Sequence, residues 1–396
     1  MARARREMLA HLPQLDAEAL LVDGHLAGRV LRADVLAEVL LPPWDNSAMD
    51  GYAVRASDVR RVPCRLPVIG EMAAGMDPGA ISIEPGTCAK VMTGAPLPRG
   101  ADAVAPYEWT DRGETEVLIL ERPERGNAIR RAGEDLASGN RILPAGHRIR
   151  ATDIAPLAAS GGASISVSKR PRVALITTGD EIRPAGSRLG PGQIYDTAGP
   201  ALEALIEAAG GTIELRLRIG DDPVLVEQTL IEAASAADVV ATVGGVSVGD
   251  HDHVRATVER RGRLRLWRVA MRPGRPIAFG DLEGAVFLGL PGNPVSAAVT
   301  FILFGAGCLL AMQGATKTQP STQFAELLEA VDKPEGLETF HRVLLRPRAG
   351  RLPGVRLSGS QSSGATLSLA RADALLALPA KGARLEPGTV VEVIPL

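Results

Sequence analysis

Acidic residues fall in three close pairs along the middle of this chain. Asp180 and Glu181 sit in TTGDEI, Asp221 and Asp222 in GDDP, and Asp250 and Asp252 in GGVSVGDHDH. Carboxylates placed beside anion-binding turns are suited to hold a hard cation such as Mg²⁺ against a phosphate. The third stretch supplies such a turn, because Gly244, Gly245 and Gly249 let backbone approach a phosphate closely. A fourth stretch, LPGNP at 290–294, supplies another. Asn293 is a good helix N-cap and Pro294 suits the first helical position, so backbone N–H groups would face an anion there. In RVAMRPGRPIAFG, Arg268, Arg272 and Arg275 crowd one short span, and a planar guanidinium binds tetrahedral oxyanions well.

Each feature has a plainer reading. Any single Asp serves as a helix cap, and Asp222 before Pro223 reads as one. The arginines fit a solvated basic edge, since Arg is abundant here and lysine is confined to Lys90, Lys169, Lys317, Lys333 and Lys381. His251 and His253 lack further Cys or His at zinc-ligand spacing and read as helix-start histidines.

The elements around these stretches decide between the readings. From Arg172 onward strands and helices alternate: RVALITTG, ALEALIEAAGG, TIELRLRIG, PVLVEQTLIEAASAA, DVVATVGG, VRATVERRG, LRLWRVAM and AVFLGL, followed by a long apolar helix. That rhythm predicts an α/β domain with a parallel sheet covered on both faces. In such a sheet ligands collect beyond the carboxyl ends of the strands. All four loops, 177–182, 220–223, 244–253 and 290–294, lie at such ends. The plain readings explain each loop alone; a shared crevice explains all four.

The flanking segments differ in kind. Residues 1–40 read as helical, with two amphipathic stretches around Gly24, and are rejoined by 137–170, where Thr152 or Asp153 caps a short helix. Residues 41–136 are short apolar pieces punctuated by Gly and Pro and read as an inserted β-rich unit. The α/β domain is expected over 171–317, and 318–396 reads as a small all-β domain.

The chain has 396 residues, 45% apolar but only 3% aromatic, so its cores must be built from Ala, Val, Leu and Ile. A formal net charge of −2 argues against nucleic acid as the main partner. Cys64, Cys88 and Cys308 form no C-x-x-C pair, and a reducing cytoplasm is the simplest setting. The charge-free run from Gly284 to Thr316 has the length of a membrane span. Its strand-like AVFLGL opening, its PGNP turn and its Gly, Ala and Ser content favour a buried helix instead, with no membrane association.

Eight stretches together carry a resemblance. PPWDNSAMDGYAVR, VMTGAPLPRGADAV, RRAGEDL, TTGDEI, GQIYDT, GGVSVGDHD, RPGRPIAFG and GLPGNPVSA closely resemble the MoeA family of molybdopterin molybdenumtransferases, relatives of the E domains of gephyrin and the plant Cnx proteins. The motifs keep family order across nearly the whole chain.

The resemblance implies four subdomains, with a molybdopterin-binding α/β domain and a C-terminal β-barrel, in an elongated homodimer. It implies insertion of molybdate into adenylylated molybdopterin with release of AMP, assisted by Mg²⁺. It places Glu181, Asp221 and Asp252 as acidic positions of the α/β crevice and as the metal-side carboxylates. Asp50, Thr93 and Asp135 would come from the opposite side of the cleft, contributed by the second subunit. Pro291, Asn293 and Pro294 form the rigid PGNP turn. Gly244, Gly245, Ser247 and Gly249 form the phosphate-approaching loop, and Ser363 is the serine of the C-terminal domain.

Arg268, Arg272 and Arg275 stand where the family commonly carries lysines, which keeps oxyanion binding but removes any base. The implied partners are a molybdopterin adenylyltransferase upstream and molybdoenzyme-maturation proteins downstream. Two alternatives share the fold. A molybdopterin adenylyltransferase would be essentially the α/β domain alone, and a dimeric scaffold could dispense with Glu181 and Asp252.

Overall fold

The computed structural model describes residues 1–246 and 252–396. At its centre is a six-stranded sheet. Its strands in chain order are β1 (Arg172–Thr178), β2 (Thr212–Ile219), β3 (Val239–Val243), β4 (Gly262–Trp267), β5 (Ala278–Leu282) and β6 (Ala285–Leu290). The spatial order is β2-β1-β3-β6-β5-β4. The first four in that order run parallel; β5 alone is reversed, antiparallel to both β6 and the edge strand β4, which runs with the first four. The sheet is therefore mixed where the alternation predicted a parallel one. The departure begins at Glu283-Gly284, a two-residue turn with φ of 47° and 93°, which folds β5 directly back onto β6 without a crossover helix.

Helices α1 (Ala198–Ala208), α2 (Pro223–Ala236), α3 (His253–Arg261) and α4 (Pro294–Met312) cover the sheet. Two apolar cores result, one per face. Leu175, Leu202, Leu288 and Val299 belong to one, and Ile176, Leu230, Val258 and Phe287 to the other. α4 has a mean hydropathy of 2.2, high enough for a membrane, yet 72% of it is buried inside the protein. Its middle, Phe301–Gly305, widens to a π-turn. It is the core helix that its Gly- and Ala-rich composition predicted.

Residues 1–40 depart from the helical expectation. Only Ala2–Leu9 is an α-helix. Ala17–Leu21 is a strand paired antiparallel with Ser164–Ser168, and Val35–Leu36 pairs with Arg141–Leu143. The reason is length. Asp23 accepts the N–H of His25 and starts a tight turn at Gly24, leaving too few residues after Pro13 for a stable helix but enough for a strand. Asp153 precedes Ile154–Ala159 as expected but makes no side-chain cap to it; its carboxylate instead accepts the N–H of Arg150 at 2.8 Å.

The inserted unit is a five-stranded sheet of 103–106, 51–54, 88–91, 64–72 and 116–119. At the C-terminus five strands close into a barrel: 323–327, 390–395, 374–378, 338–346 and 354–357, the last pairing back onto the first. One further pairing matters for function. Met271 and Arg272 lie parallel to Glu338 and Thr339, so the RPGRP turn is fastened to the barrel.

Candidate active site

Parallel β1, β2, β3 and β6 bring their carboxyl ends to one edge, and a cavity of about 400 Å³ opens there. It is lined by Thr178, Glu181, Gly244, Gly245, Pro291, Asn293 and Pro294, drawn from three of the four predicted loops. The glycines are demanded by space as well as by conformation. Gly244 (φ 91°) and Gly245 (φ 67°) are left-handed. A Cβ at Gly244 would stand 2.7 Å from Thr178 Oγ1, and one at Gly245 2.5 Å from Val254 Cγ2. Pro294 opens α4 as its first helical residue, so the positive end of that helix faces the cavity. Ser247 and Gly249, expected in the same turn, lie outside the described residues, as do Asp250 and His251.

The carboxylates separate by role. Glu181 lines the cavity, its carboxylate lying over Gly179, where a Cβ would meet Glu181 Oε2 at 2.6 Å. Asp180 is structural: its Oδ1 accepts the N–H of Asp221 at 3.2 Å and so ties two loops together. Asp222 caps α2, accepting from Val224 N at 2.9 Å and Leu225 N at 2.8 Å. Asp252 precedes α3 and makes no capping bond to it.

Glu181, Asp221 and Asp252 were expected to share one metal. Among the described residues no three His, Cys, Asp or Glu converge closely enough to hold an ion, and neither Asp221 nor Asp252 lines the cavity. The Asp180 bond explains part of this, because it fixes the 220–223 loop through its backbone. The described residues alone therefore form no all-protein cage. Mg²⁺ seldom uses one; it binds through one or two carboxylates with water and substrate phosphate supplying the rest. Of the two carboxylates on the wall, Asp196 is held by Arg216, Thr177 and Gly199, and Glu181, beside glycine turns suited to phosphate, fits that habit.

A second cavity, of about 280 Å³, adjoins the first through Pro276. Arg272, Gly274, Arg275, Ser296, Gln361 and Ser363 line it, so the RPGRP turn, α4 and the barrel each contribute. Both arginines line it. Gly274 is packed on α4, where a Cβ would stand 2.1 Å from Thr300 Oγ1. Ser363 O accepts the N–H of Val295 at 3.2 Å, joining the barrel loop to the first turn of α4. Arg268 lies elsewhere: its guanidinium stacks on Trp267, 4.2 Å from the ring centre.

Asp50, Thr93 and Asp135 line neither cavity. Asp50 and Thr93 are joined to each other, since Thr93 donates its N–H (2.7 Å) and hydroxyl (2.8 Å) to Asp50 Oδ1. Those two bonds hold the Asp50 carboxyl below its usual range, the backbone bond most strongly. Asp135 is exposed and donates its N–H to Leu41 O at 3.0 Å.

Two groups escaped the residue-by-residue reading. Asp196, 6% exposed, lines the first cavity and accepts from Gly199 N (2.8 Å), Thr177 Oγ1 (3.2 Å) and the Arg216 guanidinium. Gly199 is the signal that was available, since any side chain there would collide with Arg216. Arg342, 1% exposed, is buried in the barrel and donates to the carbonyls of Ser360 and Ser362, both at 2.9 Å. No local pattern marks it, because its partners lie 18 and 20 residues away.

An α/β domain with a glycine turn, a PGNP helix start and a carboxylate around one crevice defines a class, and residues 174–310 match the probable molybdopterin binding domain. Residues 1–161 match the MoeA N-terminal region (domain I and II), and 325–396 the MoeA C-terminal region (domain IV). The chain belongs to the MoeA family. It is 35% identical to the molybdopterin molybdenumtransferase of a Nostoc species, over 97% of this chain and 91% of that one. It is 36% identical to molybdopterin molybdenumtransferase 2 of Mycobacterium tuberculosis, over 92% of each. The fold matches a molybdopterin biosynthesis moeA protein from Pyrococcus horikoshii with a TM-score of 0.83 at 28% identity, covering 100% of this chain and 99% of that one.

Proposed function

We propose that this chain inserts molybdate into adenylylated molybdopterin and releases AMP. Its family makes it a transferase of molybdenum cofactor biosynthesis; the two substrates and the product are the finer reading. The observation that carries it is the pair of adjoining cavities. One presents glycine backbone, a helix N-terminus and Glu181. The other presents Arg272, Arg275 and Ser363. They meet at Pro276, so two anionic reactants bound side by side would be in contact.

Bringing two anions together is opposed by Coulomb repulsion. Arg272 and Arg275 offset it on the molybdate side, and the helix start at Pro294 with the Gly244-Gly245 turn offsets it on the phosphate side. Glu181 would hold Mg²⁺ on this side, and the ion when bound would supply charge neutralisation for a phosphate leaving group. Neither arginine deprotonates in a protein, so no base acts at the RPGRP turn. Asp50, Thr93 and Asp135 would complete the cleft from a second copy of the chain, in a cytoplasmic homodimer, which accounts for their absence from the cavity walls. Upstream, a molybdopterin adenylyltransferase would supply the substrate, and molybdoenzyme-maturation proteins would receive the product.

The deciding experiment is AMP release from adenylylated molybdopterin with Mg²⁺, with and without molybdate. Molybdate-dependent release is expected, and Glu181→Gln should keep the fold while lowering turnover strongly. Tight pterin binding with no release under any oxyanion would overturn the transferase reading in favour of a scaffold. Adenylylation of molybdopterin by ATP would favour the adenylyltransferase reading.

A further inference from the structure

We infer that Trp267 is a positioning residue, a clip that sets the glycine turn of the phosphate-side cavity and the direction of Arg268. The inference rests on the proposed reaction for its kinetic consequence, but the geometry stands by itself. Trp267 ends β4, the edge strand, and is half-buried. Its indole Nε1–H donates to the carbonyl of Val246 at 3.1 Å. Val246 immediately follows Gly244 and Gly245, the left-handed pair on the cavity wall. The Val246 side chain is itself 1% exposed and packs over Gly289, where a Cβ would meet its Cγ1 at 2.6 Å. The outgoing leg of the loop is thus held at both its carbonyl and its side chain.

The returning leg meets the same ring. Arg255, in the first turn of α3, donates its backbone N–H to Gly245 O at 3.1 Å. Its guanidinium lies 3.6 Å from the centre of the Trp267 ring and its Nε donates to Glu259 at 2.9 Å. A cation close to an indole is attracted by the ring quadrupole, and Trp is the strongest partner for it.

Arg268 brings a second guanidinium to that ring, 4.2 Å from its centre. Its backbone has φ 69°, a conformation non-glycine residues seldom adopt. Its N–H donates to Ile277 O at 2.9 Å, which holds it there. One indole therefore touches both legs of the glycine loop and the arginine beside it, while none of the residues lining the oxyanion cavity is among its partners.

That separation makes the role testable. Trp267→Phe keeps a ring for the guanidiniums and removes only the N–H donor. It should raise KM for adenylylated molybdopterin about five- to tenfold and leave KM for molybdate within about twofold. Arg255→Gln, which loosens the returning leg from the other side, should move the same constant in the same direction. Amide exchange over 252–258 should quicken in both variants, because Arg255 N–H protection depends on the turn, while exchange in the barrel strands should not change. Equal rises in both KM values, or an unchanged pterin KM, would reduce Trp267 to packing and overturn the inference. So would unaltered exchange over 252–258. Failure of the wild-type enzyme to release AMP would sink the proposed reaction instead, and the exchange contrast would still decide the clip.

Discussion

The two cavities are built on different principles. The phosphate-side cavity is assembled at one edge of one sheet, from loops that follow β1, β3 and β6 and from the start of α4. Parallel strands deliver their loops to the same edge whatever lies elsewhere, so the site needs only local turn chemistry. The oxyanion cavity draws on the RPGRP turn, on α4 and on the barrel loop at 361–363. It exists only because Met271–Arg272 pairs with the barrel strand and Arg342 pins the loop. The first site is a property of a domain, and the second of a junction between domains. Damage to the barrel should therefore separate them.

The largest effect is expected in the first cavity. Glu181→Gln removes the exposed wall carboxylate, Asp196 being paired with Arg216, and should lower turnover about 100- to 1,000-fold, on the scale of losing one charge-stabilising group in a reaction site. Glu181 is exposed, so the melting temperature should hardly move. A tenfold effect or less, or a matching loss of stability, would remove Glu181 from the machinery.

Arg342→Met tests the junction. Arg342 is fully buried and the substitution leaves the carbonyls of Ser360 and Ser362 without their donor. The cost should be about 3 kcal/mol of stability, from lost charge-assisted bonds and unpaired acceptors. KM for molybdate should rise and pterin binding should persist. If both substrates weaken together, the two cavities are not independent and the comparison fails.

How much was legible follows the same division. TTGDEI, GGV and LPGNP could be placed at strand ends from alternation alone, because a parallel sheet converts sequence order into spatial convergence. The antiparallel return of β5 was missed, since IAFG carries no sign of direction. Arg342 was illegible for a related reason: its partners are distant in sequence and brought near only by barrel closure. Asp221 and Asp252 show the opposite case. They carry the right chemistry at strand ends, yet neither lines the cavity, and the Asp180 carboxylate ties down the 220–223 loop through the backbone of Asp221. The helical reading of 17–21 failed because the turn at Gly24 leaves too short a run for a helix, and a strand partner at 164–168 takes it up.

Acid should strain the junction before the first cavity. Burial, with Arg342 and Arg272 nearby, pushes the His341 imidazole down to about 4. A histidine that resists protonation when folded leaves stability untouched above its ordinary pKa. Stability is then lost as pH falls from about 6.5 toward 4, where the unfolded chain binds the extra proton. At pH 5 the loss attributable to His341 should be roughly 2 kcal/mol. His341→Gln should flatten that limb in denaturant titrations at pH 7 and pH 5. An identical pH dependence in the variant would mean that His341 is not the group that titrates.

The smallest effect sharpens what the oxyanion side recognises. Arg275 is exposed beside Ser363 and the RPGRP turn. Arg275→Gln removes a charge and should raise KM for molybdate about tenfold, near 1.4 kcal/mol, leaving turnover at saturation little changed. Arg275→Lys restores a point charge without the planar fork. If charge alone holds the oxyanion, Lys should recover most of the lost affinity, and the family's usual lysine and this chain's arginine are equivalent there. If Lys behaves like Gln, the fork geometry is what binds, and the cavity has been refitted around arginine. A fall in saturated turnover with Lys or Gln would point to a third reading, in which Arg275 acts on the transition state rather than on bound molybdate.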